Sequence, residues 1–451
     1  MTRKTSMLIV VGLLMLGVAP RPVCAPVGQT PPPGLKVLTL RQQADQINAW
    51  MQTRLETVLP ALMRRTGIDM WVILNREYNE DPLYFTLVPR PALYSSGTVA
   101  LIFHDRGPGA GVERLVSAPH GVSGGYRNIW KPRVKTQFET LADYIRQANP
   151  RKIGINVSEK WPLADGMTVA LRDRLERALG PDLSKRLVSA EDLSVGWLET
   201  RTAGEMDTYR DICALAHAHI TEFFSSAVVV PGRTTEDDVV WWIRQRVASL
   251  GMESWFQPSI DIIRSRKDVA LHGEGGVIRP GDLLHCDVGI RYLGLSTDMQ
   301  WHAYVLRPGE TDAPAGLKTA LANANRVAEI LMAEFKTGRT GREIVTAAMA
   351  RGRAAGLSLS IYTHPIGFNG HAAGCTPDAR DPKTIDEVNI DKWDYPLFPD
   401  TAYSIEFSCR TAVPEWDGQE VGIGYEEDAI YTEKNGCQFI DGHQTTLLLV
   451  K

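Results

Sequence analysis

Five side chains of the kind that hold hard cations recur in order through the later part of the chain. They are Asp287 and Asp298 in HCDVGIRYLGLSTDM, His364 in YTHPIGFNGH, Glu406 in YSIEFS and Glu426 in GIGYEEDAIYT. The two aspartates sit on strand-like stretches, Leu283 to Tyr292 and Thr297 to Leu306, that are joined by a turn at Gly294. Adjacent antiparallel strands bring such residues onto one face. Glu406 interrupts the apolar run Ala402-Tyr403-Ser404-Ile405. A carboxylate buried without a partner is costly, so an acid inside a strand pattern calls for a cation. The fold expected of this chain is therefore one in which several strands deliver acids to a common point.

Each of these residues alone carries little. Acids 11 positions apart are common on protein surfaces, a lone histidine is more often a core or surface residue, and Glu426-Glu427-Asp428 reads equally well as a solvated charge run. Their joint, ordered occurrence carries the signal. Carboxylates with one imidazole form an oxygen-rich site suited to two divalent cations that share a water. Such a pair activates water for amide hydrolysis at neutral pH, so hydrolytic chemistry is the first expectation.

The chain has 451 residues, too many for one compact core, and two or three domains are expected. Hydrophobic residues at 44% and charged residues at 23% are ordinary for a globular protein. A net charge of -4, without any basic block, speaks against nucleic-acid binding. Arg3 and Lys4, the apolar run Met7 to Val18, and Val23-Cys24-Ala25 describe a secretory signal peptide over residues 1–25. That run is shorter than the ~20 apolar residues of a spanning helix, so export to the periplasm or medium is expected, with no stable membrane span. Past the leader, Cys213, Cys286, Cys375, Cys409 and Cys437 make no disulfide framework, although a Cys409–Cys437 bond stays open.

Residues 26–40, with Thr30-Pro31-Pro32-Pro33-Gly34, read as an extended linker. Helical patterns at Arg41 to Arg65, Phe138 to Ala148 and Met167 to Leu179 alternate with strand-like stretches at Ile68 to Leu74, Thr98 to His104 and Lys152 to Asn156. An α/β domain over 41–199 is expected, followed by a second domain over 200–451 that opens with a long helix. Inside the second domain Gly232-Arg233-Thr234 and Gly338-Arg339-Thr340 stand 106 residues apart, each before a helix. Thr340 with Glu343 makes a capping box. The repeat predicts two similar helix-helix-strand halves with a cleft between them.

The order and spacing of these motifs resemble those of the pita-bread metallopeptidases: aminopeptidase P, prolidase and methionine aminopeptidase. Residues 41–445 align with the two-domain aminopeptidase P and prolidase branch, specifically in the second half and loosely in the first. That family's D-x-G is matched by Asp287-Val288-Gly289, and its second aspartate by Asp298. Its metal-binding histidine and the catalytic histidine seven residues on are matched by His364 and His371, and its strand glutamate by Glu406. Its final I-E-D-x-V-x-V-T is matched by Tyr425 to Thr432, and its substrate-side histidine by His272 in Ala270-Leu271-His272-Gly273. Departures occur beside the ligands. Phe407-Ser408 stands for Pro-Gly, Pro365 for glycine, Ala372-Ala373 for acids, Ser360 for histidine and Gly424 for arginine.

The resemblance implies an α/β (α+β) chain, with a creatinase-like N-terminal α/β domain before a pita-bread catalytic domain. It implies two metal ions, with Asp298 and Glu426 bridging, Asp287 on one ion, and His364 and Glu406 on the other. Manganese is favoured for such ligands, with zinc, cobalt or iron as alternatives. Glu406 would move the proton, and His371 and His272 would donate to the developing oxyanion. The implied activity is removal of the first residue from peptides with proline second, whose tertiary amide lacks an N–H. Alternatives are an Xaa-Pro dipeptidase, a silent pita-bread binding module and a metal-free creatinase-like hydrolase; the last two are expected to lack acid ligands. A homodimer is the assembly this resemblance allows.

Overall fold

The computed structural model describes residues 27, 28, 30, 31, 36–380 and 392–451. The expected signal segment, and Pro26, Gln29, Pro32, Pro33, Gly34 and Leu35 of the expected linker, lie outside the described residues. The described residues of that linker do not stand free. Val27, Val37 and Leu38 pack against the core of the C-terminal half, Arg246 donates to the carbonyls of Gly28 and Thr30, and the Leu38 amide donates to the Tyr292 hydroxyl at 2.7 Å. Among the described residues no helix is long and apolar enough to cross a membrane.

The first helix, Leu40–Thr66, begins at a capping box in which Thr39 and Gln42 satisfy each other's backbone amides and ends at Gly67 in the left-handed region. It lies against a mixed six-stranded sheet ordered Arg127–Asn128, Val112–Ser117, Thr98–Asp105, Met70–Arg76, Ile153–Ile155 and Leu187–Ser189. The central strand Met70–Arg76 is apolar through Leu74 and buried on both faces, as expected of a strand covered by helices on either side. Leu55, Leu59, Leu62 and Trp197 close one face; Leu141, Ile145, Leu171 and Leu175 close the other.

The second unit is a nine-stranded sheet formed entirely by residues beyond 258. Its two longest strands, Thr401–Val413 and Gln419–Thr432, pair antiparallel over their whole length. Helices Ala203–Phe223 and Glu236–Ser249 precede one set of its strands, and Ala315–Met332 and Gly341–Ala354 precede the other. This is the two-part pattern expected from the repeat, with a shift of one residue. The second helix of the first half is capped by Thr235 rather than Thr234, so the caps Thr235 and Thr340, like Gly251 and Gly356, lie 105 residues apart. Both caps are threonines in capping boxes and both helices have 14 residues.

Arg54 of the first helix ties the two units together. Fully buried, it pairs with Glu205 at 3.0 Å and donates to the carbonyls of Trp197 and Thr200. All five described cysteines are free thiols, Cys409 and Cys437 included.

Candidate metal centre

Strand register alone assembles most of the site. Asp287 lies opposite Gln300, Gln300 opposite Glu426, and Glu426 opposite Glu406, so a single row across four adjacent strands carries three acids and one amide. His364 lies opposite Ser404, two residues before Glu406 and on the same face. Asp298 precedes Gln300 by two residues. The hairpin between the aspartates turns at Leu293 and Gly294, both with positive φ, as a tight two-residue hairpin turn requires. The glycine of Asp287-Val288-Gly289 is also required sterically. A Cβ there would meet the Trp255 indole and lie 2.8 Å from the Thr297 carbonyl.

The ligand atoms converge in overlapping groups. Donor atoms of Asp287, Asp298 and Glu426 lie within 4.8 Å of one another, as do those of His364, Glu406 and Glu426 and those of Asp298, His364 and His371. Nε2 of His364 stands 3.6 Å from Asp298, 3.7 Å from Glu406 and 3.5 Å from Glu426. Its other nitrogen, Nδ1, lies 3.0 Å from the Pro365 carbonyl. A proton held there leaves the Nε2 lone pair free, the tautomer that binds a metal.

These residues fit divalent cations on two counts. Nε2 of His364 and Oδ1 of Asp287 are buried without any hydrogen-bond partner, which polar atoms in a protein interior rarely are. The carboxyls also crowd one another. Burial and the Glu426 charge push Asp287 up to about 7 and Glu406 up to about 10, and the same two causes raise buried Asp298. Cations placed among them remove both penalties.

Sequence reasoning missed the residues that support the acids. Nε2 of Gln300 donates to Glu406 at 2.9 Å and to Glu426 at 2.8 Å. Ser404 donates to Glu426 at 2.5 Å. The buried Asp428 accepts from the Asp298 amide at 3.3 Å and from Cys213 at 3.6 Å. Gln300 stands two places after the ligand Asp298, and Asp428 two places after the ligand Glu426 on its strand, so a spacing of two held the signal for both.

The two further histidines part company. His371 packs its ring against His364, centroids 4.7 Å apart, and against Trp255 at 5.3 Å. Desolvation and the neighbouring His364 push it down to about 4, so it is a neutral imidazole at pH 7. His272 does not join the cluster. It ends the short helix Arg266–His272, is exposed, and interacts with Asp268.

The sequence profile of metallopeptidase family M24 matches residues 206–433. None of the curated proteins matches the sequence. Among solved structures, an X-Pro aminopeptidase from Thermotoga maritima superposes with a TM-score of 0.59 at 17% identity, covering 86% of this chain and 100% of that one. An Xaa-Pro dipeptidase from Bacillus anthracis gives 0.54 at 17% identity, over 90% of this chain and 99% of its own. The prolidase from Pyrococcus horikoshii gives 0.52 at 14% identity, over 90% and 100%. At these identities the likeness is one of fold, an N-terminal domain followed by a pita-bread domain.

Proposed function

The chain belongs to metallopeptidase family M24, and from that premise we propose that it is an Xaa-Pro aminopeptidase. It releases the first residue of peptides with proline second, using two divalent cations, manganese by preference. The supporting observation is the pair of ligand groups that share Glu426, one with Asp287 and Asp298, the other with His364 and Glu406. Two overlapping groups of donors suit two ions better than one.

The bound ions supply a nucleophile from water at neutral pH and withdraw charge from the substrate carbonyl. The side chains do the rest. Glu406, with one oxygen held by Gln300, takes a proton and delivers it to the leaving nitrogen. His371, neutral beside His364 and steadied by Trp255, donates a hydrogen bond to the developing oxyanion. His272, outside the cluster, has no step in this reading.

The test is a panel of Xaa-Pro dipeptides and longer Xaa-Pro-Yaa peptides given to manganese-loaded protein. Cleavage of the longer peptides is expected. Strict preference for dipeptides replaces the assignment with Xaa-Pro dipeptidase, and cleavage of neither leaves a peptide-binding module. Residues 1–25 are proposed as an export signal. Mass spectrometry of protein from the native host should then find an N-terminus between Val18 and about Gln29, whereas Met1 retained on cytoplasmic protein removes that proposal.

A further inference from the structure

Behind the loop that runs from His364 to His371 lies a pocket of about 260 Å³ that contains none of the five metal-ligand residues. Its apolar walls come from both units of the molecule: Trp50 and Phe85 from the first, Leu293 and Phe368 from the second. Three arginines, Arg54, Arg90 and Arg291, complete the lining.

The charges are unbalanced. Arg54 has Glu205, the acid among the lining residues, and Glu205 is also engaged by Arg201 and Thr202. Among the described residues neither Arg90 nor Arg291 has a carboxylate within salt-bridge distance. They stand close enough that burial and the Arg291 charge together push Arg90 below its usual range, and the acid whose charge reaches Arg90 is the exposed Glu253. The remaining unmet polar atoms are donors as well: Nε1 of Trp50 and Nε of Arg54 are buried without partners. Half-buried guanidinium groups gathered without a counter-ion, between aromatic walls, are complementary to a carboxylate on an apolar body. The volume suits something the size of one amino-acid residue.

We propose that this pocket binds a small apolar carboxylate, the chemistry shared by the C-terminal residue of a peptide and a free hydrophobic amino acid. Phe368 and Asn369 line the pocket and belong to the loop that carries His364 and His371; Leu293 and Gly294 form the turn between Asp287 and Asp298. Its occupancy therefore bears on both segments that hold the metal centre.

Calorimetric titration of metal-stripped full-length protein with N-acetyl-L-leucine tests this, with N-acetyl-L-leucinamide as the neutral twin. One acid should bind per chain, and the amide at least about tenfold more weakly, as loss of a charge-assisted hydrogen bond requires. Arg90→Gln and Arg291→Gln should each weaken the acid about tenfold while leaving the melting temperature unchanged, and Arg291→Lys should restore part of the loss. No binding, equal binding of acid and amide, or indifference to both Gln variants overturns the site. Because stripped protein is used, failure here leaves the peptidase assignment standing, and failure of the peptide panel leaves the pocket standing. Competition in manganese-loaded enzyme then identifies the source of the carboxylate. Inhibition of Xaa-Pro-Yaa cleavage that added peptide overcomes assigns the pocket to the substrate's far end. Inhibition that persists assigns it to a separate effector.

Discussion

Gly424 lies directly against Gln300: a Cβ on the glycine would stand 2.5 Å from Gln300 Oε1 and 2.8 Å from Nε2 of His285. Many pita-bread relatives carry arginine at this position. Here the space belongs to a chain of side chains, in which Asp261 contacts His285 at 2.8 Å, His285 contacts Gln300 Oε1 at 3.0 Å, and Gln300 donates to Glu406 and Glu426. His285 thus bridges Asp261 and Gln300 through its two ring nitrogens.

Gly424→Ala should push Gln300 off both glutamates. Loss of an outer-shell partner of this kind costs about 10–100-fold in metal affinity or activity. Manganese titration and kcat on an Xaa-Pro-Yaa peptide check this, and unchanged values in both would show that Gln300 is a bystander.

Removing Asp298 should separate activity from stability. Its carboxyl is buried among like charges, so Asp298→Asn relieves repulsion in chelated protein and raises its melting temperature by a few degrees. The wild type should instead gain from manganese, by about 2.7 kcal/mol at a hundredfold excess over Kd, and the variant should gain much less and cleave nothing. Equal stabilisation of the two by manganese would take Asp298 out of the ligand set.

His371 depends on Trp255, whose indole donates to the Thr297 carbonyl at 2.8 Å and meets the imidazole edge-on. Trp255→Leu removes both supports. The expected effect is a fall in kcat of about tenfold or more with little change in KM, as for a group that acts on the transition state alone. Steady-state kinetics on one tripeptide suffices, and a change confined to KM would make Trp255 a binding residue instead.

The sequence revealed what is periodic or spaced. The capped helix Leu40–Thr66, the strand pair around Asp287 and Asp298, and the duplicated helices were readable from apolar period, turn residues and threonine caps. What depends on register across distant strands was not. Gln300 faces Glu426, 126 residues away, and no local pattern predicts that pairing. His272, matched by its motif to a substrate-side histidine, ends the short helix Arg266–His272 and lies outside the groups of ligand atoms. The pocket with Arg90 and Arg291 was invisible because its walls come from segments that meet only once both units are packed.

Glu199 offers a test of the junction between the units through pH. It ends the helix Glu191–Glu199, is fully buried, and accepts from the Tyr395 hydroxyl at 2.8 Å, while its second oxygen has no partner. Burial pushes its carboxyl up to about 8, against a weaker opposing pull from Tyr395, Arg65 and Arg201. From about pH 4.5, where the unfolded chain releases this proton, to about pH 8, the folded protein keeps it. The folded state therefore binds more protons in that window, and stability falls as pH rises, by at most about 1.4 kcal/mol per pH unit from this group. Glu199→Gln keeps an acceptor for Tyr395 and cannot ionise. Denaturant unfolding of metal-free wild type and variant should give parallel stabilities below pH 4.5, a gap in favour of the variant that widens up to about pH 8, and a constant gap above it. Parallel curves throughout would mean that Glu199 is charged in the folded protein at neutral pH, with Arg65 and Arg201 prevailing over burial.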